Sequence, residues 1–263
     1  MFRRAHHGNR ARGTSRSDRD LAPSDASTPF KRAPPALLGR DRTHDANEHV
    51  AFYSNMEPCG ASGGYIDEIL SDWSFEQLER HHGYIQWIFP TMSRSRFNHR
   101  SRPIHIEAVR FIATDLSAAL RVVLAYDMML EFWGLRLRSA RTGEVALCDH
   151  LGFEASMQHL NSHPHNFWRM TRVIESLGLL GFGRYVDPLV ELLVALLERG
   201  VLQATGSLTH WRAARHVASC HGHTSYLLQL LDQPRAEQHL QLAAMLEAHG
   251  SRRASQLKSR LSV

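Results

Sequence analysis

Apolar residues along this chain recur mostly three and four positions apart, the spacing that places them on one face of an α-helix. The longest such run holds Ile106, Val109, Ala113, Leu116, Leu120 and Val123 and continues to Met129, Leu130 and Trp133. It predicts one helix over 106–133, with Gly134 placed to close it in the left-handed conformation. A second helix is predicted over 165–177, where Phe167, Met170, Val173, Ile174 and Leu177 share a face. Ser162 is its cap candidate, Pro164 suits its first turn, and Gly178 is read as its stop. A third, over 188–200, enters on Pro188 and leaves on Gly200, with Leu189, Leu192, Leu193, Leu196 and Leu197 between. Weaker helical patterns cover 207–219, 225–231 and 235–249.

Toward the N-terminal side, Val50, Phe52 and Tyr53 start the periodicity, 60–64 reads as a loop, and Tyr65, Ile66, Ile69, Leu70 and Trp73 form a second short run. Ser74 followed by Gln77 is a capping box, in which each side chain satisfies the other residue's backbone amide. The helix it starts runs toward Tyr84-Ile85-Gln86-Trp87-Ile88-Phe89-Pro90, where the proline removes a donor and the bulky residues require burial. Arg141-Thr142-Gly143-Glu144 reads as a turn between short strands at 135–137 and 145–147. The expected fold is all-α, an irregular multi-helix bundle with at most a minor β-hairpin near 135–147.

Residues 1–45 have few large apolar groups to offset an ordering cost of roughly 1–2 kcal/mol per residue, and are expected to be a disordered Arg/Ser-rich tail. The expected organisation is that tail, a conserved domain over 46–216, and a C-terminal helical extension over 217–263. Net charge is +5. The tail holds ten of the 31 Lys/Arg and five of the 26 Asp/Glu, so the remainder carries 21 of each. A neutral body gives no support to nucleic-acid binding. The 3 cysteines, Cys59, Cys148 and Cys220, form no CxxC pair, and reduced thiols in an intracellular compartment are expected. The most apolar stretches, 118–133 and 188–202, are interrupted by Asp127, Glu131, Glu191 and Glu198 and fall short of the roughly 20 residues of a bilayer span. No transmembrane helix is expected, and the start MFRRAHH lacks the apolar run of a secretory signal.

Leu78-Glu79, His82 and Tyr84-Ile85-Gln86-Trp87-Ile88-Phe89-Pro90 resemble the H-x-Y-I-Q-W-L-F-P signature of the opioid growth factor receptor family. Further matches follow in the family's order: Phe52-Tyr53, Ala125-Tyr126, Met128 to Phe132 with Gly134, Thr142-Gly143, His159-Leu160-Asn161, His165-Asn166, Arg169, Thr171-Arg172 and Pro188-Leu189-Val190. The resemblance runs from about Asn47 to about Trp211. It implies binding of a Met-enkephalin-type pentapeptide or a protein partner, receptor rather than catalytic character, and a place at the nucleus or its membrane periphery, otherwise the cytoplasm. Peripheral membrane association is compatible with this.

If a peptide binds, Tyr84, Gln86 and Trp87 are candidate wall residues, although the same segment serves core packing. A buried Gln86 amide must bond to backbone or ligand, because an unmet one costs on the order of 1–3 kcal/mol. Asn166, Arg169 and Arg172 lie on one side of the second helix, where a peptide carboxylate would suit them. The competing role for the arginines is an ion pair with Glu131 or Glu175. Glu131 in turn could receive a ligand's amino group. His159, His163 and His165 are read as spanning a helix break without the rigid spacing of a zinc site; no metal and no cofactor are expected. No G-x-S-x-G elbow, phosphate loop, dinucleotide glycine pattern or H-E-x-x-H occurs, so an enzyme is not expected. The alternatives kept beside the receptor reading are a helical interaction scaffold without small ligand and an enzyme using dispersed Glu131, His82 and Arg169.

Overall fold

The computed structural model describes residues 42–60, 63–94, 102–148, 152–233, 242, 244–246 and 253–256. The expected tail lies outside them except for its last residues, where helix α1, Arg42–Tyr53, begins. Most of the predicted 235–249 helix lies outside them too. Short helices α2, Ile66–Asp72, and α3, Phe75–Arg80, follow, and α3 starts on the predicted capping box: the Gln77 amide donates to Ser74 Oγ at 3.3 Å and the Ser74 amide to Gln77 Oε1 at 2.8 Å. Helix α4, Ile85–Ile88, is a single turn that ends before Pro90.

The predicted long helix is two. Helix α5, Ile106–Thr114, and α6, Leu116–Phe132, meet at Asp115, which is extended at φ −79°, ψ 124° and accepts the Ala118 amide at 2.8 Å. An aspartate at this place is an N-cap, and the cap wins over the uninterrupted apolar spacing. Helix α6 has 13 of its 17 residues buried, more than one face, and packs against α2 and α5. Gly134, at φ +73°, closes it as predicted. The hairpin of β1, Leu135–Leu137, and β2, Val145–Leu147, then pairs Leu135 with Leu147 and Leu137 with Val145.

Helix α7, Phe153–Ser162, has no counterpart among the predicted elements, because only Met157 and Leu160 of its ten residues are buried and the apolar stripe is too thin to read. Ser162 is its last residue and donates to the Gln158 carbonyl, so it does not cap α8, His165–Leu179, whose N-cap is Pro164. Gly178 does not stop α8 either. It lies within the helix, and a Cβ there would stand 2.4 Å from Ala218; the glycine lets α8 meet α10, Leu208–Ser219. Helix α9, Val186–Glu198, packs on both, and α11, Tyr226–Leu231, lies against α5 and α6. Among the described residues the fold is all-helical apart from the hairpin, and no helix is long and apolar enough to cross a membrane.

Candidate functional site

The end of α3, the end of α7 and the start of α8 bring together a set of polar side chains around Glu79. Its Oε1 lies 2.7 Å from His165 Nε2 and its Oε2 3.2 Å from His159 Nε2. Asn166 Nδ2 donates to Oε2 at 3.2 Å, and Arg169 Nη1 stands 3.6 Å from the same oxygen. Burial alone would raise the Glu79 carboxyl; the Asn166 bond, His165, His159 and Arg169 together outweigh it and hold the group below its ordinary range. Burial also pulls His165 down, against the opposing pull of Glu79. Glu79 is therefore favoured as a carboxylate and His165 as an uncharged ring.

Arg169 is buried, and both of its terminal nitrogens have partners. Its Nη1 donates to Asn166 Oδ1 at 3.0 Å, its Nη2 to the Glu79 carbonyl at 3.3 Å and toward His82 Nδ1 at 3.3 Å, and its guanidinium lies 5.8 Å from the Tyr84 ring centre. The ion-pair partner is thus Glu79, not the Glu131 or Glu175 weighed from the sequence. Glu131 pairs instead with Arg253, which also donates to the Leu70 carbonyl at 3.1 Å. Arg172, one turn beyond Arg169, donates through Nη1 to the Phe89 carbonyl at 3.1 Å and to Thr91 Oγ1 at 3.3 Å. Burial lowers its pKa, with Glu175 opposing.

Beside this corner runs an open cleft of about 610 Å³ between the α4–Thr91 segment and α8, bordered by Gln86, Arg169, Arg172, Glu175, Trp168 and His210. That volume lies inside the range of small-ligand and short-peptide sites. Trp168 is 46% exposed on its rim and packs against His210, with ring centres 4.5 Å apart. Gln86 meets backbone: with its amide nitrogen turned inward it donates to the His82 carbonyl at 2.9 Å and the Gly83 carbonyl at 2.8 Å.

Of the residues singled out in the sequence, Gln86, Arg169 and Arg172 border the cleft, while Asn166 and Tyr84 are buried behind it. Trp87 faces the other way, stacked on His49 at 5.2 Å and against Phe52 at 5.6 Å. Glu131 is likewise elsewhere. Glu79 is not among the site candidates of the sequence, and His159, His163 and His165 are set aside there as spanning a helix break; that break is the junction of α7 and α8, and it gathers the imidazoles about Glu79. The sequence signal for Glu79 was its place beside the family-like motif.

The profile described as the opioid growth factor receptor (OGFr) conserved region matches residues 42–213. The chain is 36% identical over 157 residues to opioid growth factor receptor-like protein 1 of Rattus norvegicus, an alignment covering 58% of this chain and 33% of that protein. It is 37% identical over 145 residues to the opioid growth factor receptor of Mus musculus, covering 54% and 22%, and 34% identical over 158 residues to that of Homo sapiens, covering 59% and 23%. The chain thus spans about a third or less of the length of these relatives. No solved structure matches it.

Proposed function

Because the chain belongs to the opioid growth factor receptor family, we propose that it binds an opioid growth factor-type peptide in the cleft between α4 and α8. The observation that carries this reading is the cleft itself. It combines a half-buried guanidinium, Arg172, with an exposed aromatic, Trp168, on one helix face, beside the segment that bears the family-like signature.

A short peptide ending in a carboxylate would place that group on Arg172. Charge-assisted bonds to guanidinium are among the stronger polar contacts, and a partly desolvated guanidinium gains more from them than an exposed one. An aromatic side chain of the peptide would pack on Trp168, which offers area at little entropic cost. Arg169 has a different part: its donors are taken by Asn166, Glu79 and His82, so it shapes the wall that Gln86 and Arg172 present. The reading is one of recognition without chemistry, in keeping with relatives named as receptors. Location at the nucleus belongs to the same proposal.

The test is calorimetric titration of the folded chain with Met-enkephalin and with a scrambled pentapeptide. Sequence-dependent binding, weakened roughly tenfold or more in Arg172→Ala, is the expected result, since a bond to a charged group contributes about 1.5–3 kcal/mol. Equal response to the two peptides would remove the proposal and leave the exposed Trp168 rim as a surface for a protein partner.

A further inference from the structure

The Glu79 corner carries more ligating groups than its ion pair with Arg169 uses. Glu79, His159 and His163 each offer an atom, and the three atoms lie within 4.8 Å of one another. We propose that these three side chains bind one divalent transition-metal ion, with zinc as the ion of choice.

The geometry supports this on three grounds. First, the end of α7 sets two imidazoles side by side: His159 lies in its last turn, His163 is its C-cap, and their rings stack with centres 4.2 Å apart, so that both can reach one ion. Second, the ring of His163 is set in the required tautomer. Its Nδ1 lies 2.9 Å from the His159 carbonyl, which only a protonated Nδ1 satisfies, so in the neutral ring the lone pair stands on Nε2. A metal-binding histidine typically gives its other N–H to such a carbonyl. Third, the carboxylate is held from behind, by Asn166 donating to Oε2 at 3.2 Å, so its orientation does not depend on the ion. His165 Nε2 lies 2.7 Å from the other oxygen, yet makes no well-aligned hydrogen bond among the described groups.

Two imidazoles and one carboxylate form a borderline donor set that suits zinc better than calcium or magnesium, which take all-oxygen shells. Three protein ligands leave a fourth position free. It would face the second cleft of this region, about 460 Å³, where Glu79 and His159 stand beside Phe75, Phe132 and Ser156. The nearby Arg169 opposes a second cation, and its charge is already spent on the Glu79 carboxylate and two backbone carbonyls. Removing an imidazole should therefore alter ion binding far more than it alters folding.

The experiment uses the full chain, stripped with chelator and titrated with zinc chloride by calorimetry, with cobalt as a spectroscopic stand-in. One equivalent bound, with the visible absorption of four-coordinate cobalt, is expected. His159→Gln and His163→Gln should each weaken binding at least about tenfold, the loss seen even for groups behind the ligands, while His221→Ala/His223→Ala leaves it unchanged. No saturable uptake by the folded wild-type chain overturns the proposal. So does uptake that survives in His159→Gln/His163→Gln, or that disappears with His221 and His223.

Discussion

Two of the ion pairs that tie distant segments together are built differently. On one side Arg121 of α6 grips Asp67 of α2 with two parallel bonds of 2.7 Å, and its remaining Nη1 donates to the Tyr53 carbonyl at 3.0 Å. Fork meets fork, and both partners are satisfied by each other and by the backbone they join. On the other side Glu79 has one guanidinium at 3.6 Å, one amide and two imidazoles about it, and borders the smaller cleft. The first is a fastener that joins α1, α2 and α6. The second holds α3 to α7 and α8 and has donors to spare. Stability alone accounts for the Asp67–Arg121 clamp, whereas Glu79 has more partners than one ion pair needs.

That contrast can be broken by removing one charged partner from each. Arg169 is buried, so Arg169→Met should strand Glu79 and several carbonyls in the interior and cost roughly 3–5 kcal/mol, read as a loss in urea unfolding free energy. The pH dependence has a definite sign. Glu79 is held below its unfolded value, so its contribution is present above the ordinary carboxylate range and is lost as pH falls through the folded value. The acid arm of the stability curve should therefore flatten in Glu79→Gln. Asp67→Asn should cost less, about 1.5–3 kcal/mol by the worth of charged hydrogen bonds, because Asp67 is partly open to solvent and Arg121 keeps the Tyr53 carbonyl. If the two losses come out in the reverse order, Arg169 is not the keystone that its burial implies.

How much of this was legible in the sequence depends on whether a feature is local. The capping box at Ser74, the end of α6 at Gly134 and the hairpin that follows are local, and each was readable from residues a few positions apart. The break at Asp115 was hidden because the apolar spacing runs unchanged across it, although an aspartate before a helical run is a cap signal. Gly178 misled because a glycine within a helix can serve close packing as well as termination, and only the approach of Ala218 tells which. For the site, Arg169 and Arg172 were readable from their spacing along α8. Trp87 was not, since consecutive residues of a one-turn helix point about 100° apart, and Gln86 and Trp87 cannot share a wall. Glu79 meets its partners across about 80 to 90 positions, by way of a helix with only two buried residues. No sequence pattern of short range carries that contact.

The smallest expected effect is the most informative about the comparison. His159→Gln removes an imidazole that lies 3.2 Å from Glu79 Oε2 and stacks on His163, contacts that resemble structural ones. Its side chain is about a third exposed, however, and Glu79 retains Asn166, Arg169 and His165. An exposed pair of this kind contributes at most about 1 kcal/mol, so thermal unfolding of His159→Gln should fall within that margin of the wild-type chain. A loss approaching that of Arg169→Met would make the histidine part of the fastener and erase the difference from the Asp67–Arg121 clamp. A loss near zero means that the fold holds Glu79 without this ring, and that whatever keeps His159 beside the carboxylate acts through binding and not through stability.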